Sequence, residues 1–388
     1  MTTLSAKPMT DPTAFVDACA AAGANFFTGV PDSLLGSLCE EFSARLNHIT
    51  ACNEGAAVAL AIGAHLATGT VPVVYMQNSG LGNAINPLVS LADPAVFGIP
   101  MLLVIGWRGE LGEDGQPLPD EPQHRRQGAI TTGSLDLLGI PYVIVDRSTA
   151  DLPSRAARAV EDARRGNRPV ALVVRKGTFG PAHSYVPEEE LPSREAFLRA
   201  IARALDPSEV VVATTGITAR ELEDLRRREY PELHGRDLLV VGGMGHASHI
   251  ALGVQLMAPE RRVTCLDGDG ALLMHMGALA YLAKAPGIRH IVLNNGVHDS
   301  VGGHKTIARS VSLEALARAA GYDKAVTVRR PEQVPDILAA AGDGNLFIEI
   351  LCRPGHRPDL PRPLLTPREN KEQVMRHLRE PHLTSSAT

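Results

Sequence analysis

The stretch Val263-Thr264-Cys265-Leu266-Asp267-Gly268-Asp269-Gly270 joins four residues that favour a β-strand to a turn of alternating aspartate and glycine. Downstream, the apolar run 291–293 leads into Asn294-Asn295-Gly296. Both patterns are typical of a buried strand that ends in a polar turn. Carboxylate, amide and backbone-carbonyl oxygens are the ligands that suit Mg²⁺, which keeps open positions for phosphate oxygens. The two turns therefore predict a site that holds a metal ion and a diphosphate together.

The Gly-Asp-Gly turn and the Asn-Asn pair have the spacing found in thiamine-diphosphate enzymes, and here the chain resembles that family. The resemblance implies that Asp269, Asn295 and the backbone carbonyl of Val297 bind Mg²⁺, with the cofactor's diphosphate completing the shell. It also implies cofactor contacts from three neighbours of Asp269, namely Gly268, Gly270 and Ala271. The residues alone leave a plainer alternative, in which the glycines make a tight turn and the asparagines cap a strand.

The composition is that of an α/β protein with two ordinary domains: 388 residues, 44% of them hydrophobic and only 4% aromatic. The formal net charge is −5 and the chain has no long basic run, so we expect no nucleic-acid or membrane partner. The five cysteines form no Cys-x-x-Cys pair, which favours reduced thiols and a cytoplasmic location. No window approaches the 18 or so apolar residues of a membrane helix.

Two sets of apolar strands predict two doubly wound parallel-sheet domains of the α/β class. The predicted strands are 71–76, 101–106, 142–145 and 170–174 in the first set, and 210–213, 238–241, 263–266, 291–293 and 346–351 in the second. We place the domains at 1–185 and 186–388, with a proline-rich, acidic linker over 181–195 and a boundary near Val186. Ser193 is predicted to cap a helix, and we expect partial disorder toward residues 385–388. The two predicted domains account for the length of the chain, so we expect no further domain between them.

Glu54 stands at or just before the start of an Ala/Gly-rich helix that ends near Gly69. Taken alone, it would be an acidic residue favoured by the helix dipole. The resemblance to thiamine-diphosphate enzymes instead implies a first, pyrimidine-binding domain and a second, diphosphate-binding domain. In that arrangement Glu54 acts on the aminopyrimidine ring of the cofactor as a protonated carboxylic acid.

Two further segments of the second half are candidate cofactor contacts. Thr215 and Gly216 open a helix whose backbone N–H groups could bind an anionic diphosphate, or the segment could be a simple cap. The run around Gly243 and Met244 lacks the third glycine of a dinucleotide fingerprint, because Ser248 occupies that position. The family resemblance implies that Met244 supports the bent cofactor, whereas core packing is the alternative for any such methionine.

Three more stretches resemble the family branch without a middle domain, the phosphonopyruvate and sulfopyruvate decarboxylases: 28–35, 75–83 and 120–124. The resemblance implies non-oxidative decarboxylation of a small 2-oxoacid, with 3-phosphonopyruvate giving phosphonoacetaldehyde and CO₂ in phosphonate and antibiotic biosynthesis. Segment 120–127 is predicted to be a mobile loop that receives the phosphonate, or else a solvated basic turn. The predicted substrate contacts are Asp32, Ser33, Asn78, Ser79, His124, Arg125, Arg126 and Gln127.

Asp32, Ser33, His298 and Asp299 complete the predicted catalytic set with Glu54. The two residues after Val297 could transfer protons or bind substrate, and either could instead cap the next segment. The rival functions are a sulfopyruvate decarboxylase, a carboligase and a non-catalytic cofactor-binding subunit. The resemblance also implies a homo-oligomer in which the active site lies at the subunit interface, so that Glu54 and Asp269 of one site come from different chains.

Overall fold

The computed structural model describes residues 8–112, 114–183 and 190–380. Contacts divide these residues into two compact units, the first with 8–183 and Val301–His304, the second with 190–300 and 305–380. The predicted boundary near Val186 and the tail at 385–388 lie outside the described residues. Among the described residues, no helix is both long and apolar enough to cross a membrane.

The first unit is built on a parallel sheet of six strands in the order β2-β1-β3-β4-β6-β5. The strands are β1 Phe27–Gly29, β2 His48–Thr50, β3 Val73–Gln77, β4 Met101–Gly106, β5 Tyr142–Val145 and β6 Pro169–Val174.

Successive residues of the central strands point to opposite faces of this sheet, and both faces are buried. On β4, Leu102 and Val104 belong to one hydrophobic cluster, whereas Leu103 and Ile105 belong to another. Every residue of β4 is buried. A strand covered on both sides has no polar face, and for this reason these strands appear in the sequence as continuous apolar runs.

Helices cover both faces of the first sheet. They are α1 Pro12–Ala21, α2 Gly36–Ser43, α3 Glu54–Thr68, α4 Leu81–Pro87, α5 Pro122–Leu137 and α6 Leu152–Gly166. In α3 the Asn53 side chain accepts a hydrogen bond from the Ala56 N–H at 2.8 Å, and Gly69 ends the helix with φ +68°. These two caps set Glu54 as the first residue of the helix, as predicted.

The second unit repeats the plan with a parallel sheet in the order β13-β14-β10-β9-β7-β8. The eight strands of this half of the chain are β7 Val210–Ala213, β8 Leu238–Leu239, β9 Val263–Gly268, β10 Arg289–Asn294, β11 Val297–His298, β12 His304–Lys305, β13 Lys324–Val328 and β14 Leu346–Leu351.

The helices of the second unit again lie on both faces. They are α7 Arg194–Ala204, α8 Ile217–Glu229, α9 Ala247–Met257, α10 Asp269–Met274, α11 Ala278–Leu282, α12 Leu313–Ala320, α13 Val334–Ala339 and α14 Pro367–Arg379. The Ser193 side chain caps α7 by accepting from the Ala196 N–H at 3.2 Å, which confirms the predicted cap. The predicted α/β class with two doubly wound parallel sheets is confirmed, and the described residues form no third unit.

Two local predictions were wrong. The strand predicted over 238–241 contains only Leu238 and Leu239, because the chain turns away before the glycines that follow. Segment 120–127 is not a loop, because α5 begins at Pro122 with the proline in its first turn. A proline fits the first turn of a helix, where its missing N–H costs no hydrogen bond.

Candidate active site

The second unit brings the predicted metal ligands together at the carboxyl ends of β9 and β10. Leu293 pairs with Gly268 in the register of these neighbouring strands, so the turns that carry Asp269 and Asn295 lie side by side. Asp269 is buried, and its carboxylate accepts a hydrogen bond from the Thr306 hydroxyl. Burial raises the pKa of Asp269 to about 6, against the lowering effect of that hydrogen bond. A buried carboxylate of this kind is stabilised by a cation.

The Asn295 side chain is held at both ends. Its amide nitrogen donates to Asp299 Oδ2 at 2.7 Å, and its oxygen accepts from the Val297 N–H at 3.1 Å. Gly296 has φ +74°, and a Cβ added there would lie 2.8 Å from the Arg309 side chain, so the turn requires glycine. These contacts give the segment from Asn295 to Val297 one defined conformation.

His298 and Asp299 have different surroundings, although they are adjacent in sequence. The His298 ring lies over Gly270, where an added Cβ would be 2.6 Å from its Cε1 atom and 3.2 Å from the Met244 methyl group. Asp299 instead binds inward, accepting from Arg194 at 2.9 Å and from the Gly355 N–H at 3.0 Å. The sequence left a chemical role and a structural role open for both residues. In the structure, Asp299 makes contacts that hold the loop to its neighbours, whereas His298 borders the predicted cofactor residues.

Glycines line the remaining predicted cofactor segments of the second unit. Gly216 precedes α8 with φ +96° and ψ −140°, a conformation open only to glycine, and Thr215 lies in the turn between β7 and α8. A Cβ at Gly245 would lie 3.0 Å from the Ala271 carbonyl oxygen, so the segment with Gly243 and Met244 packs closely on α10. The first N–H groups of α8 have no partner within the helix, and their binding of a diphosphate stays a prediction.

In the first unit, Glu54 lies against the turn that follows β3. Its carboxyl oxygen Oε2 accepts from the Asn83 side chain at 2.9 Å. A Cβ at Gly80 would come within 2.3 Å of the other oxygen, Oε1, so only glycine leaves room for this carboxyl group. Glu54 is buried, which agrees with a role inside a site and disfavours the surface role of a dipole-favoured residue.

The carboxyl ends of β1 and β4 carry a second polar cluster, and it contains Arg108, a residue that sequence reasoning missed. Arg108 donates to Asp120 through Nε at 2.9 Å and Nη2 at 2.6 Å. Its Nη1 atom donates to the Ser33 hydroxyl oxygen at 3.3 Å. Because that oxygen acts as the acceptor, the hydroxyl hydrogen of Ser33 is available to another acceptor. A cation directly after an apolar strand was the signal that could have identified Arg108.

Asp32 is fully buried beside this cluster. A Cβ at Gly106 would lie 1.8 Å from Asp32 Oδ2, so the glycine makes space for the carboxyl group. Among the described residues, none completes a hydrogen bond of normal geometry to either oxygen. Burial raises the pKa of Asp32 to about 7, although the Leu34 and Ser33 N–H groups and the Arg108 charge act in the opposite direction.

The predicted substrate residues of α5 do not share one surface. His124 is buried, with a pKa lowered by burial and by the Arg108 charge, whereas Arg125 and Arg126 are exposed and Gln127 is half-buried. Successive helical residues are about 100° apart, so His124 and the two arginines face different directions. The basic cluster inferred from the sequence therefore does not form as one receptor.

Close packing explains why this segment is helical and fixed. A Cβ at Gly109 would lie 2.1 Å from the His124 carbonyl oxygen, and one at Gly128 would lie 1.7 Å from the Gly109 carbonyl oxygen. The Trp107 indole N–H also donates to the Gly128 carbonyl oxygen at 2.9 Å. The start of α5 is thus packed directly on the turn after β4, so the predicted mobile loop is replaced by an anchored helix.

Asn78 and Ser79 follow β3 and differ in their availability. Asn78 donates to the Arg108 carbonyl oxygen and to the Thr131 hydroxyl oxygen, both at 2.9 Å, and accepts from the Arg108 N–H at 3.1 Å. Asn78 therefore holds the Arg108 backbone in place. Ser79 is half-buried, and its hydroxyl oxygen accepts from the Gln77 amide at 2.7 Å.

These residues fit a thiamine-diphosphate and Mg²⁺ site in both chemistry and shape. The second unit offers a buried carboxylate, an amide oxygen and a backbone carbonyl, the oxygen donors that Mg²⁺ prefers. The space over Gly270 is bordered by His298 and Met244 and would be closed by any side chain at that position. The donor set and the required glycine therefore agree with the cofactor that the sequence predicted.

Comparison with known families gives two matches, one in each half of the chain. Residues 9–130 match the N-terminal TPP binding domain of thiamine pyrophosphate enzymes, and residues 215–350 match the C-terminal TPP binding domain.

Three relatives match most of the chain. Phosphonopyruvate decarboxylase of Streptomyces viridochromogenes is 35% identical, with 89% of each chain covered. Phosphonopyruvate decarboxylase of Streptomyces hygroscopicus is 34% identical over 92% of this chain and 90% of the relative. Sulfopyruvate decarboxylase of Methanosarcina acetivorans is 30% identical over 87% of this chain and 91% of the relative.

Proposed function

Because the chain belongs to the family of thiamine pyrophosphate-dependent decarboxylases, we propose that it converts 3-phosphonopyruvate to phosphonoacetaldehyde and CO₂. The observation that carries the substrate proposal is the Arg108 cluster at the carboxyl edge of the first sheet. There a guanidinium group is fixed by Asp120 and donates to the Ser33 hydroxyl oxygen. A fixed cation and an available hydroxyl hydrogen are suited to a doubly anionic tail.

The cofactors are thiamine diphosphate and Mg²⁺, and the second unit carries the residues proposed to bind them. Asp269, Asn295 and the Val297 carbonyl would hold the metal ion, while the α8 N-terminus beyond Gly216 would bind diphosphate oxygens. When bound, thiamine diphosphate supplies the nucleophile and the electron sink that a 2-oxoacid needs to lose CO₂. Met244, which borders the space over Gly270, would pack against it.

The proposed task of Glu54 is to hold a proton against the aminopyrimidine ring. Two contacts support this task, since the Asn83 amide orients one carboxyl oxygen and Gly80 makes room for the other. A carboxyl group held in one orientation can give and retrieve a proton at one ring atom without reorganising.

At the substrate end, Ser33 and Arg108 are proposed to bind the anionic tail, with Asn78 positioning Arg108 from behind. Asp32 is assigned to the reacting end, where a protonated carboxyl group could donate to the keto or carboxylate oxygens. His124 and Ser79 would border the same region. His298, which lies beside the predicted cofactor residues of the second unit, remains the candidate for proton transfer.

We further propose that the protein is a homo-oligomer whose active sites lie at the subunit interface. Support comes from an open apolar groove of about 600 Å³ along α3, the helix that begins at Glu54. The groove is lined by Phe26, Ile49, Ala56, Ala59, Leu60, Gly63 and Ala64. An apolar groove beside a proposed catalytic residue is suited to a second copy of the chain. A cytoplasmic location is proposed from the five free cysteines, four of them buried.

Sulfopyruvate is the second candidate substrate, and the 30% identity to the Methanosarcina relative favours it over any other rival. Turnover of phosphonopyruvate, sulfopyruvate and pyruvate by the protein with thiamine diphosphate and Mg²⁺ tests the choice. We expect the highest kcat/KM for phosphonopyruvate, with the aldehyde identified as its product. A higher kcat/KM for sulfopyruvate would overturn the substrate proposal, and formation of a carbon–carbon ligation product in place of the aldehyde would favour a carboligase.

A further inference from the structure

Arg194 is a buried cation that no motif predicted. It is the first residue of α7, directly after the Ser193 cap, and its side chain is only 4% exposed. Its Nε atom donates to Glu221 Oε2 at 2.7 Å, and its Nη1 atom donates to Asp299 Oδ2 at 2.9 Å. Two carboxylates more than offset the charge of one buried guanidinium, and their contacts fix its plane.

Asp299 connects this cation to the proposed metal site. Its Oδ2 atom accepts from both Arg194 and the Asn295 amide, while its Oδ1 atom accepts from the Gly355 N–H. Each of these three contacts is made by a hydrogen-bond donor. Its role in the loop is to receive hydrogen bonds, and both of its oxygens are already committed.

The orientation of the Asn295 amide follows from these contacts. Asp299 Oδ2 is an acceptor for the Arg194 guanidinium, so the amide atom of Asn295 that faces the same oxygen must be the donor nitrogen. Independently, the Val297 N–H requires an acceptor and therefore faces the amide oxygen at 3.1 Å. Both contacts select the same rotamer and exclude the flipped one. An amide oxygen is a metal ligand, whereas an amide NH₂ group repels a cation.

We propose that Arg194 and Asp299 are positioning residues that fix the Asn295 amide with its oxygen toward the Mg²⁺ ion. This inference rests on the proposed metal role of Asp269, Asn295 and Val297. Arg194 acts one step further away, since its hydrogen bond holds the Asp299 carboxylate in place. Asp299 accordingly contributes to metal affinity and takes no part in proton transfer to the substrate.

The test exchanges the two partners of the orienting contact. With thiamine diphosphate present, calorimetric titration with Mg²⁺ should give about 10-fold weaker binding for Asp299→Asn, the size typical of a lost supporting contact at a metal site. A carboxylate at position 295 has two equivalent oxygens and needs no orientation. The Asn295→Asp/Asp299→Asn double variant should therefore bind Mg²⁺ much more tightly than Asp299→Asn alone.

The role of Arg194 is tested by substitution, and another arginine of α7, Arg199, provides the control. Arg194→Gln should weaken Mg²⁺ binding, and Arg194→Lys should do so less because the positive charge is kept. Arg199→Gln removes an exposed α7 arginine that pairs with Glu229 at 2.9 Å, and it should leave Mg²⁺ affinity unchanged. Circular dichroism at the titration temperature confirms that each variant is folded.

Three outcomes decide the matter. If Asp299→Asn keeps normal Mg²⁺ affinity but loses kcat at saturating Mg²⁺, Asp299 is a proton-transfer group and the inference is wrong. If the double variant binds Mg²⁺ no better than Asp299→Asn alone, Asp299 does not act through the amide. If Asp269→Ala leaves Mg²⁺ binding intact, the proposed metal site itself is wrong, which is a separate failure.

Discussion

Replacing Asp32 with asparagine should stabilise the first unit at alkaline pH while reducing turnover. Burial raises the pKa of Asp32 to about 7, from an ordinary value of 3.8. The Asp32 carboxyl group keeps its proton to higher pH in the folded protein than in the unfolded protein. Ionisation of this group therefore opposes folding. The cost begins near pH 4, grows by about 1.4 kcal/mol per pH unit and levels off above pH 7 at about 4 kcal/mol. An asparagine of the same shape removes this cost.

The protein carries its own probe for the measurement. Trp107 is the only tryptophan, and it is buried in the first unit with its indole N–H bound to the Gly128 carbonyl oxygen. Urea unfolding of the cofactor-free wild type and of Asp32→Asn, followed by tryptophan fluorescence, gives the free energy of unfolding at pH 5 and 8.5. The free energy of unfolding of Asp32→Asn should exceed that of the wild type by about 3 kcal/mol more at pH 8.5 than at pH 5.

Asp136, an exposed aspartate on α5, provides the matched control. The free energy of unfolding of Asp136→Asn should differ from that of the wild type by the same amount at both pH values. If the advantage of Asp32→Asn stays constant or shrinks as pH rises, Asp32 is ionised and favourably paired in the folded protein, and the reasoning from burial is refuted.

Three further predictions concern the proposed sites. Glu54→Gln should bind thiamine diphosphate with near-normal affinity yet lose most single-turnover activity, because an amide cannot exchange the required proton; normal turnover would remove Glu54 from the mechanism. Asp269→Ala should weaken Mg²⁺ and diphosphate binding together in calorimetry, and mixing it with Glu54→Gln chains should restore some activity if sites are shared between subunits. Absence of recovery despite demonstrated subunit exchange would count against the shared interface. Arg108→Lys should lower kcat/KM for phosphonopyruvate by about 10-fold more than for pyruvate, since the two-pronged fixation by Asp120 is lost, whereas Arg125→Lys should affect neither substrate.

Most strands that could be predicted from the sequence are buried on both faces, whereas β5 was predicted from its apolar residues although Val143 and Ile144 are exposed. β4 and β14 coincide with their predicted bounds because six successive apolar or shielded residues leave no other interpretation. β1 and β2 were missed because each has only three residues, too few to establish a pattern. β13 lies at the edge of its sheet, and its alternating polar residues resemble a loop.

In the site, residues within a local motif could be predicted from the sequence, whereas residues that depend on contacts distant in sequence could not. The turn at Asp269 could be predicted because its ligands lie within a few residues of a recognisable motif. Arg194 could not, since its partner Asp299 lies 105 positions away and only folding brings the two together. The error over 120–127 has another cause: prolines and charges indicate a loop, but the contact between Gly109 and α5 is what fixes the segment.

The charges of the first unit link the stability of Asp32 to the proposed substrate. The Arg108 guanidinium interacts electrostatically with two carboxyl groups, those of Asp120 and Asp32. The three side chains therefore carry a net charge of −1 when both acids are ionised. That charge would repel a dianionic phosphonate. With Asp32 protonated the cluster is neutral, and the carboxyl group becomes a hydrogen-bond donor. A dianion arriving at the cluster would further favour the protonated form. Thus the burial that makes the carboxylate of Asp32 costly to folding is also what allows the cluster to accept an anion.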